Sequence, residues 1–237
     1  MYGVYQYEDF NEVSPNVFVL KDGIPNNTKE RNTIQPGDMK LKDINGDGKV
    51  TPEDMTAIGH GLPVHTGGFT NNFEYKGFDL SVFFQWSYGN DVINYNRAKL
   101  ENMNGVRHTN MLASAKDHWT PRIDNGDGTY AAGNYTNYLW RVDGGLSDIN
   151  TSRVVEDASF LRLKNVQLGY NFPVKLIRKF KLSSLRLYLS GQNLWTWTKY
   201  TGYDPEVSTR NSAMTRGFDY SAYPRTTSFT FGVKLGL

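Results

Sequence analysis

The sequence contains no cysteine, and its opposite charges nearly cancel. The absence of cysteine excludes disulfide bonds, thiolate metal sites and cysteine nucleophiles. The 26 Lys and Arg residues against 24 Asp and Glu give a net charge of +2, and no basic run is present, so we expect no nucleic-acid partner. No apolar run approaches the roughly 18 residues that a membrane helix needs. The lack of a long apolar run does not exclude a transmembrane β-barrel, because the lipid-facing residues of its strands alternate with lumen-facing ones.

Aromatic residues and glycine are abundant, at 14% of the chain and 23 residues respectively, which suits strands and tight turns. The clearest hydrophobic period is two, typical of long strands with one apolar face. It covers the segments 78–88, 165–172, 185–198 and 227–237, and more weakly 67–75. Residues 1–7 are a candidate for a short sixth strand. The apolar phase slips at Leu161 and Leu163, which predicts either a β-bulge or a strand end beyond the bilayer.

The connections between these strands alternate between short and long. Residues 76–77 and 173–183 form short connections, whereas 8–65, 90–157 and 200–225 are long. This asymmetry is typical of an outer-membrane barrel, with short periplasmic turns and long extracellular loops. A soluble sandwich with elaborated loops is the alternative, although three long loops are hard to place in a compact soluble domain.

The stretch "DINGDGKVTPED", Asp43 to Asp54, carries oxygen-bearing side chains at alternate positions. This spacing predicts a structural calcium ion, which takes about six to eight oxygen ligands. The candidate ligands are Asp43, Asn45, Asp47, Lys49 through its backbone carbonyl, Thr51 and Asp54. Asp54 replaces the usual bidentate Glu, and a metal-free cluster of Asx turns is the alternative. A single loop cannot open a paired-hand groove, so we expect a clip and not a sensor. A short helix should follow over residues 52–59, and "DNGDG" at 124–128 is interpreted as a turn.

Catalysis has little support in the sequence, so we expect no enzyme. The four histidines form no metal-spaced pair, and no G-x-S-x-G is present. Aromatic residues at strand ends predict a membrane-interface girdle instead: Trp86, Tyr88, Trp195, Trp197 and Tyr200. A sugar-stacking platform is the alternative for the last three.

Four segments together resemble a known family, in the same order along the chain. They are "PGDMKLKDINGDGKVTPEDMTAIG" (36–59), "GGFTNNFEYKGFDLSVFFQWSYGNDVIN" (67–94), "ASFLRLKNVQLGYNFP" (158–173) and "GQNLWTWTKYTGYDPEV" (191–207). All four closely resemble the SusC/RagA family of TonB-dependent outer-membrane transporters.

The resemblance implies an all-β fold, a transmembrane barrel of about 22 strands. Residues 1–237 would then supply about six antiparallel C-terminal strands. It also implies TonB-energised import of glycans or peptides in the outer membrane. The partners would be the plug and other strands of the transporter, membrane lipid, and a SusD-like surface lipoprotein that acts as a lid. It leaves the substrate-binding residues unidentified. A soluble calcium-stabilised carbohydrate-binding β-domain is the alternative, and a dockerin-like adaptor would need two calcium loops.

Overall fold

A computed structural model of the chain describes residues 2–27, 29–103, 110–145, 151–206 and 216–237. His108, Val207 and parts of the expected loops 90–157 and 200–225 lie outside the described residues. The chain divides into two compact units. The first unit comprises Met1–Ile58 and Ile93–Val155, and the second comprises Gly59–Val92 and Glu156–Leu237.

The second unit is built on a five-stranded antiparallel sheet. Its strands are β1 (His65–Tyr75), β2 (Phe78–Tyr88), β3 (Phe160–Asn171), β4 (Ser184–Thr198) and β5 (Ser228–Gly236). Each strand pairs with the next along the chain, so the sheet is a meander. The Lys76–Gly77 turn joins β1 and β2 with positive φ at both residues, as a tight hairpin requires. A short helix (Val174–Ile177) and a 3₁₀ turn (Arg178–Phe180) join β3 and β4.

The two faces of this sheet differ in chemistry along every strand. One cross-strand row is apolar from edge to edge: Phe73, Leu80, Leu168, Leu189 and Phe231. The neighbouring row, one residue along each strand, is polar: Asn72, Ser81, Gln167, Ser190 and Thr230. Successive residues of a strand point to opposite faces, so the sheet has one apolar and one polar face. Phe73, Leu168, Leu189 and Phe231 are exposed on the apolar face.

The predicted bulge is present in β3. The pairing register of β3 shifts between Leu163 and Asn165 against both of its neighbours. Lys164 is the extra residue against β2, whereas against β4 the extra residue lies in β4, between Gln192 and Trp195. An extra residue restores the alternation beyond it. Leu161 and Leu163 therefore share the apolar face with Val166 and Leu168, which explains the phase slip in the sequence.

The five long strands were predicted, with ends displaced by a few residues. The expected sixth strand is different, because Tyr2–Val4 pairs with Met39–Leu41 in the first unit and not with the five-stranded sheet. The expected helix over 52–59 is also wrong. Only a 3₁₀ turn at Pro52–Asp54 forms, and the backbone is extended again at Met55 (ψ 130°).

The first unit consists of short elements around small cores. Among its described residues, three two-stranded sheets pair Tyr2–Val4 with Met39–Leu41, Phe10–Ser14 with Val17–Leu20, and Ile123–Asp124 with Tyr130–Ala131. Its helices are Tyr95–Leu100 and the 3₁₀ turns Tyr7–Asp9, Arg31–Thr33, Pro52–Asp54 and Ala113–Asp117. One core contains Tyr5, Phe10, Leu20 and Ile34, and another contains Met39, Met103, Leu139 and Trp140.

Three further short strands lie at Asp91–Asn94, Val155–Asp157 and Phe218–Asp219. Within the described ranges, no helix has the length and apolar character needed to cross a membrane.

Candidate functional site

The polar face of the sheet carries a buried ion-pair cluster centred on Arg162. Arg162 lies in β3 just before the bulge, with its side chain 3% exposed. Its Nε donates to Thr196 Oγ1 (2.9 Å), and its terminal nitrogens bind Asp204 Oδ1 (2.5 Å) and Glu206 Oε2 (3.1 Å). A guanidinium presents its donors in a planar fork, which suits simultaneous binding of two carboxylates.

The two carboxylates come from the segment that follows β4. Glu206 also accepts from Arg225 Nη2 (2.9 Å) and Gln85 Nε2 (3.3 Å), and Lys164 Nζ lies 3.9 Å away. Residues 204–206 are thereby fixed to β2 and β3. Three cations face two carboxylates in this cluster, so it carries an excess of positive charge.

The pKa of Asp204 is lowered although the residue is buried. Burial alone would raise the pKa, because it penalises the charged carboxylate. The backbone N–H of Glu206 and the Arg162 guanidinium, with a further contribution from the N–H of Arg225, outweigh that effect. Asp204 is therefore ionised at neutral pH, and the Arg162–Asp204 pair is a true ion pair.

A cavity of about 320 Å³ lies beside this cluster. Its polar lining includes Gln85, Asn90, Glu206, Arg216 and Arg225, and its apolar lining includes Trp86 and Phe160. A pocket with apolar walls and a few polar groups is typical of a ligand contact surface.

A second ion pair lies further along the same face, near the Lys76–Gly77 turn. Arg186 in β4 binds Asp79 in β2 through two nitrogens, one of them Nε at 3.2 Å from Oδ1. Gly169 lies between them in β3, and a Cβ there would come within 2.5 Å of Asp79 Oδ1. The missing side chain at Gly169 is what allows the pair to span three strands. The hollow beside it has a volume of about 820 Å³.

The predicted calcium loop folds around its own hydrogen bonds. Asp43 accepts from the N–H groups of Gly46 (2.6 Å) and Gly48 (2.8 Å). Asp54 accepts from Ile44 (2.7 Å), Asn45 (3.1 Å) and Thr51 (2.8 Å). These bonds, led by the one from Thr51, lower the pKa of Asp54 and keep it ionised.

The remaining candidate ligands of this loop follow the same pattern. Asn45 and Asp47 each accept from the N–H two residues ahead, at 2.9 and 2.8 Å. The bonded oxygens of Asn45 and Asp47 each keep a second lone pair, whereas Asp54 Oδ1 already accepts two N–H groups. The candidate ligands are all oxygen atoms, which are the ligands that a hard cation takes. Among the described residues, however, no three carboxylate or imidazole side chains are already gathered as a metal cluster.

The loop is attached to its unit through Val50. Val50 is buried and donates its N–H to Asn26 O (2.9 Å), while Asn26 N donates to Gly48 O (3.3 Å). Two backbone hydrogen bonds to Asn26 therefore hold this end of the loop in the first unit.

The predicted interface aromatics separate into two groups. Tyr88, Trp195 and Trp197 are exposed, and Trp86 is half-buried. Tyr200 is different: it is 5% exposed, packs with Val92 and Ala158, and donates from its hydroxyl to Asp219 Oδ2 (2.5 Å). The interpretation of Tyr200 as a surface girdle or sugar-stacking ring is therefore wrong, because its hydroxyl is satisfied inside the second unit.

Sequence reasoning missed Arg162, Asp204 and Glu206. Two of the family-like segments contain these charged residues: "FLRLKN" contains Arg162, and "TGYDPE" contains Asp204 and Glu206. Their pairing requires the chain to turn back over the sheet after β4, and no local pattern predicts that turn.

No family model matches the chain. Among curated proteins it is similar to TonB-dependent receptor P3 of Formosa agariphila, at 37% identity over 205 residues, 84% of this chain and 19% of that protein. It is also similar to TonB-dependent receptor SusC of Bacteroides thetaiotaomicron, at 27% identity over 205 residues, 85% of this chain and 18% of that protein. The chain thus spans about a fifth of the length of these relatives.

Among solved structures, the fold is similar to that of the RagAB peptide transporter. The TM-score is 0.65 at 22% sequence identity, and the match covers 99% of this chain and 22% of the solved chain. The mostly-β architecture therefore has a counterpart in a transporter structure.

Proposed function

Because the chain is related to the SusC/RagA-like TonB-dependent receptors, we propose that its five-stranded sheet forms part of the wall of an outer-membrane β-barrel of about 22 strands that imports nutrients. The relatives bear the names of receptors and transporters, and we propose a transport role without catalysis. The cargo would be a peptide or a glycan, and TonB would supply the energy through the rest of the transporter.

The observation that carries this proposal is the opposite chemistry of the two faces of the sheet. A soluble domain would cover its apolar face with a second layer. In this sheet, every residue of the apolar row except Leu80 is exposed. Lipid is the environment that suits such a face, and a water-filled lumen suits the polar one.

The proposal also assigns sides to the connections. The short connections 76–77 and 173–183 would face the periplasm, and the segments 8–65, 90–157 and 200–225 would be extracellular. Most of the first unit belongs to two of these long segments. We place there the surface that a SusD-like lipoprotein would contact.

Epitope tags test this arrangement in the complete transporter in cells. A tag inserted between Asn125 and Gly126, in an exposed turn, should bind antibody on intact cells. A tag inserted after Lys179, in the short connection between β3 and β4, should bind only after the outer membrane is permeabilised. The reverse pattern, or recovery of the protein without detergent, would contradict the proposal and favour a soluble domain.

We further propose that the loop Asp43–Asp54 binds one structural calcium ion. Asp43, Asn45, Asp47, Thr51 and Asp54 would offer side-chain oxygens, and Lys49 its backbone carbonyl. When bound, the ion would offset the repulsion among three carboxylates and fix a loop that is costly to order. The ion would stabilise the structure of the loop on the extracellular side of the membrane.

Chelation tests the calcium proposal in the assembled transporter. We expect protease cleavage within 43–54 to accelerate when calcium is removed and to slow again when it is restored. Asp47→Asn should weaken this response, whereas Asp127→Asn, in the similar turn at 124–128, should leave it unchanged. Equal cleavage with and without chelator, together with no bound calcium by elemental analysis, would favour the metal-free turn cluster.

A further inference from the structure

A hollow in the first unit has the composition of a ligand pocket. Its volume is about 460 Å³, within the range of small-molecule sites. Its lining includes the rings of Tyr7, Phe18 and Trp119, and two guanidinium groups, Arg122 and Arg141. Neither the proposed transport role nor the calcium loop uses these residues.

The rings form one continuous apolar surface. The Tyr7 ring lies between the other two, with its centroid 5.2 Å from that of Phe18 and 5.4 Å from that of Trp119. Trp119 is buried and fixed by a hydrogen bond from its Nε1 to Gln6 Oε1 (3.0 Å). Tyr7 and Phe18 are only half-buried. The surface therefore combines one fixed ring with two partly exposed rings, and the Arg122 guanidinium lies over Tyr7 and Phe18, with Cζ 5.4 and 5.5 Å from their centroids.

The charged lining of the hollow is entirely cationic. Arg141 binds the buried Asp38 through Nε (2.7 Å), and Arg122 binds Glu12, but neither carboxylate lines the hollow. Arg122 Nε is buried and has no hydrogen-bond acceptor. Both guanidiniums thus retain donors beyond those used in their own ion pairs, and a buried donor without an acceptor is costly.

We propose that this hollow binds a ligand that carries a carboxylate close to a ring with an apolar face. The carboxylate would accept hydrogen bonds from Arg122 and Arg141, and the ring would pack against the aromatic wall that Tyr7, Phe18 and Trp119 form beside Arg122. An acidic sugar and a peptide that ends in an aromatic residue share this chemistry. The inference rests on the proposed function, because it names the class of cargo that a hollow in the external unit would capture before import.

Calorimetric titration of the intact transporter in detergent tests the site. The acidic probes are trigalacturonate and the peptide Gly-Gly-Phe, and their neutral counterparts are the methyl ester and the C-terminal amide. We expect at least one acidic probe to bind about tenfold or more tightly than its neutral form, since a charged hydrogen bond is lost. The probe that binds identifies the source of the ligand.

Val142 provides a variant that should not disturb folding, because it lines the hollow and is 50% exposed. Val142→Asp should weaken binding of the acidic probe by about fivefold or more relative to the matched Val142→Asn, through like-charge repulsion. Arg122→Gln should weaken it as well, and Arg178→Gln, on an exposed turn far along the chain, should not.

Equal affinity for acidic and neutral probes, no binding of either acidic probe, or equal affinities of Val142→Asp and Val142→Asn would overturn the inference. The tags described above report separately on membrane topology. A correctly inserted transporter without carboxylate binding would therefore refute the pocket alone, and binding by a protein with the wrong topology would refute the transport role alone.

Discussion

Arg162 is the residue on which the polar face most depends. It joins β3 to the segment after β4 through two carboxylates, and it is almost completely buried. Removal of one partner from a buried ion pair costs more than the pair itself contributes, because it leaves a charge without compensation in a site of low polarity. The remaining charge here would be that of Asp204.

Replacement of Arg162 by Met should release the segment 201–206. Loss of the partner of a buried charge costs about 3–5 kcal/mol, so local opening should rise by about 100-fold or more. Chymotrypsin cleavage after Tyr203, which is 81% exposed, measures this in the assembled transporter. Lys164→Met is the matched control, because Lys164 lies 3.9 Å from Glu206 and is partly exposed. It should change the rate by less than about fivefold. Equal effects of the two substitutions would show that Arg162 is not the anchor.

Asp204 gives the second unit an acid-sensitive stability. Its folded pKa lies below the ordinary value of about 3.9, so the ionised form stabilises the fold at every pH above that value. This contribution is lost as the pH falls through the folded pKa. Between pH 7 and pH 5, we expect Asp204 to cause no change in the thermal unfolding midpoint of the transporter. At pH values below about 4, protonation of Asp204 should lower this midpoint.

Asp204→Asn separates this effect from general acid unfolding. The variant should have a lower midpoint at pH 7 and a shallower decline below about pH 4 than the wild-type protein. An identical acid decline in both proteins would assign the sensitivity to other carboxylates.

The alternation of apolar and polar side chains determines which face of each strand is apolar. Leu168 and Gln167 are adjacent in β3, yet they belong to the apolar and polar rows respectively. A shift by one residue would exchange the faces. The bulge at Lys164 prevents such an exchange in the first part of β3, because it keeps Leu161 and Leu163 in phase with Leu168.

A single introduced charge should therefore have opposite outcomes at adjacent positions. Leu168→Arg places a cation on the proposed lipid face, at a cost of about 2–4 kcal/mol near the membrane centre. Gln167→Arg places the same cation on the proposed lumen face and should be tolerated. Heat-modifiable migration of the outer-membrane fraction reports the yield of folded transporter. Comparable yields of the two variants would contradict the assignment of faces.

The long strands and the bulge were predictable because a period of two and its slip are local properties of the sequence. The turn at Lys76–Gly77 was predictable for the same reason. The burial of Tyr200 was not, since it depends on Asp219, Val92 and Ala158, which are distant in sequence. The Arg162 cluster and the aromatic hollow likewise combine residues from separate segments. The extended backbone at Met55 was missed because Asp54 caps the loop in place of starting a longer helix.

The sheet has unpaired outer edges at β1 and β5 among the described residues. Lipid cannot satisfy the backbone groups of an open edge, so a membrane sheet must close on further strands. The proposed transporter supplies them.

Expression of residues 1–237 alone should therefore give aggregated material that needs denaturant or detergent. Co-expression with the rest of the transporter should bring the chain into the outer membrane. A monodisperse, folded and detergent-free monomer would contradict this account, as measured by light scattering and circular dichroism.

The central claim is that one face of this sheet meets lipid and the other meets water. Because these 237 residues contain no cysteine, a single cysteine introduced at Asn165, Val166, Gln167 or Leu168 is unique within them. Each can be given a nitroxide label in lipid bilayers, in a complete transporter whose other cysteines, where present, are replaced by serine. The account predicts that Val166 and Leu168 are accessible to oxygen, which dissolves in lipid, and that Asn165 and Gln167 are accessible to a water-soluble nickel chelate. Accessibility without this alternation, or with the two faces reversed, would contradict it.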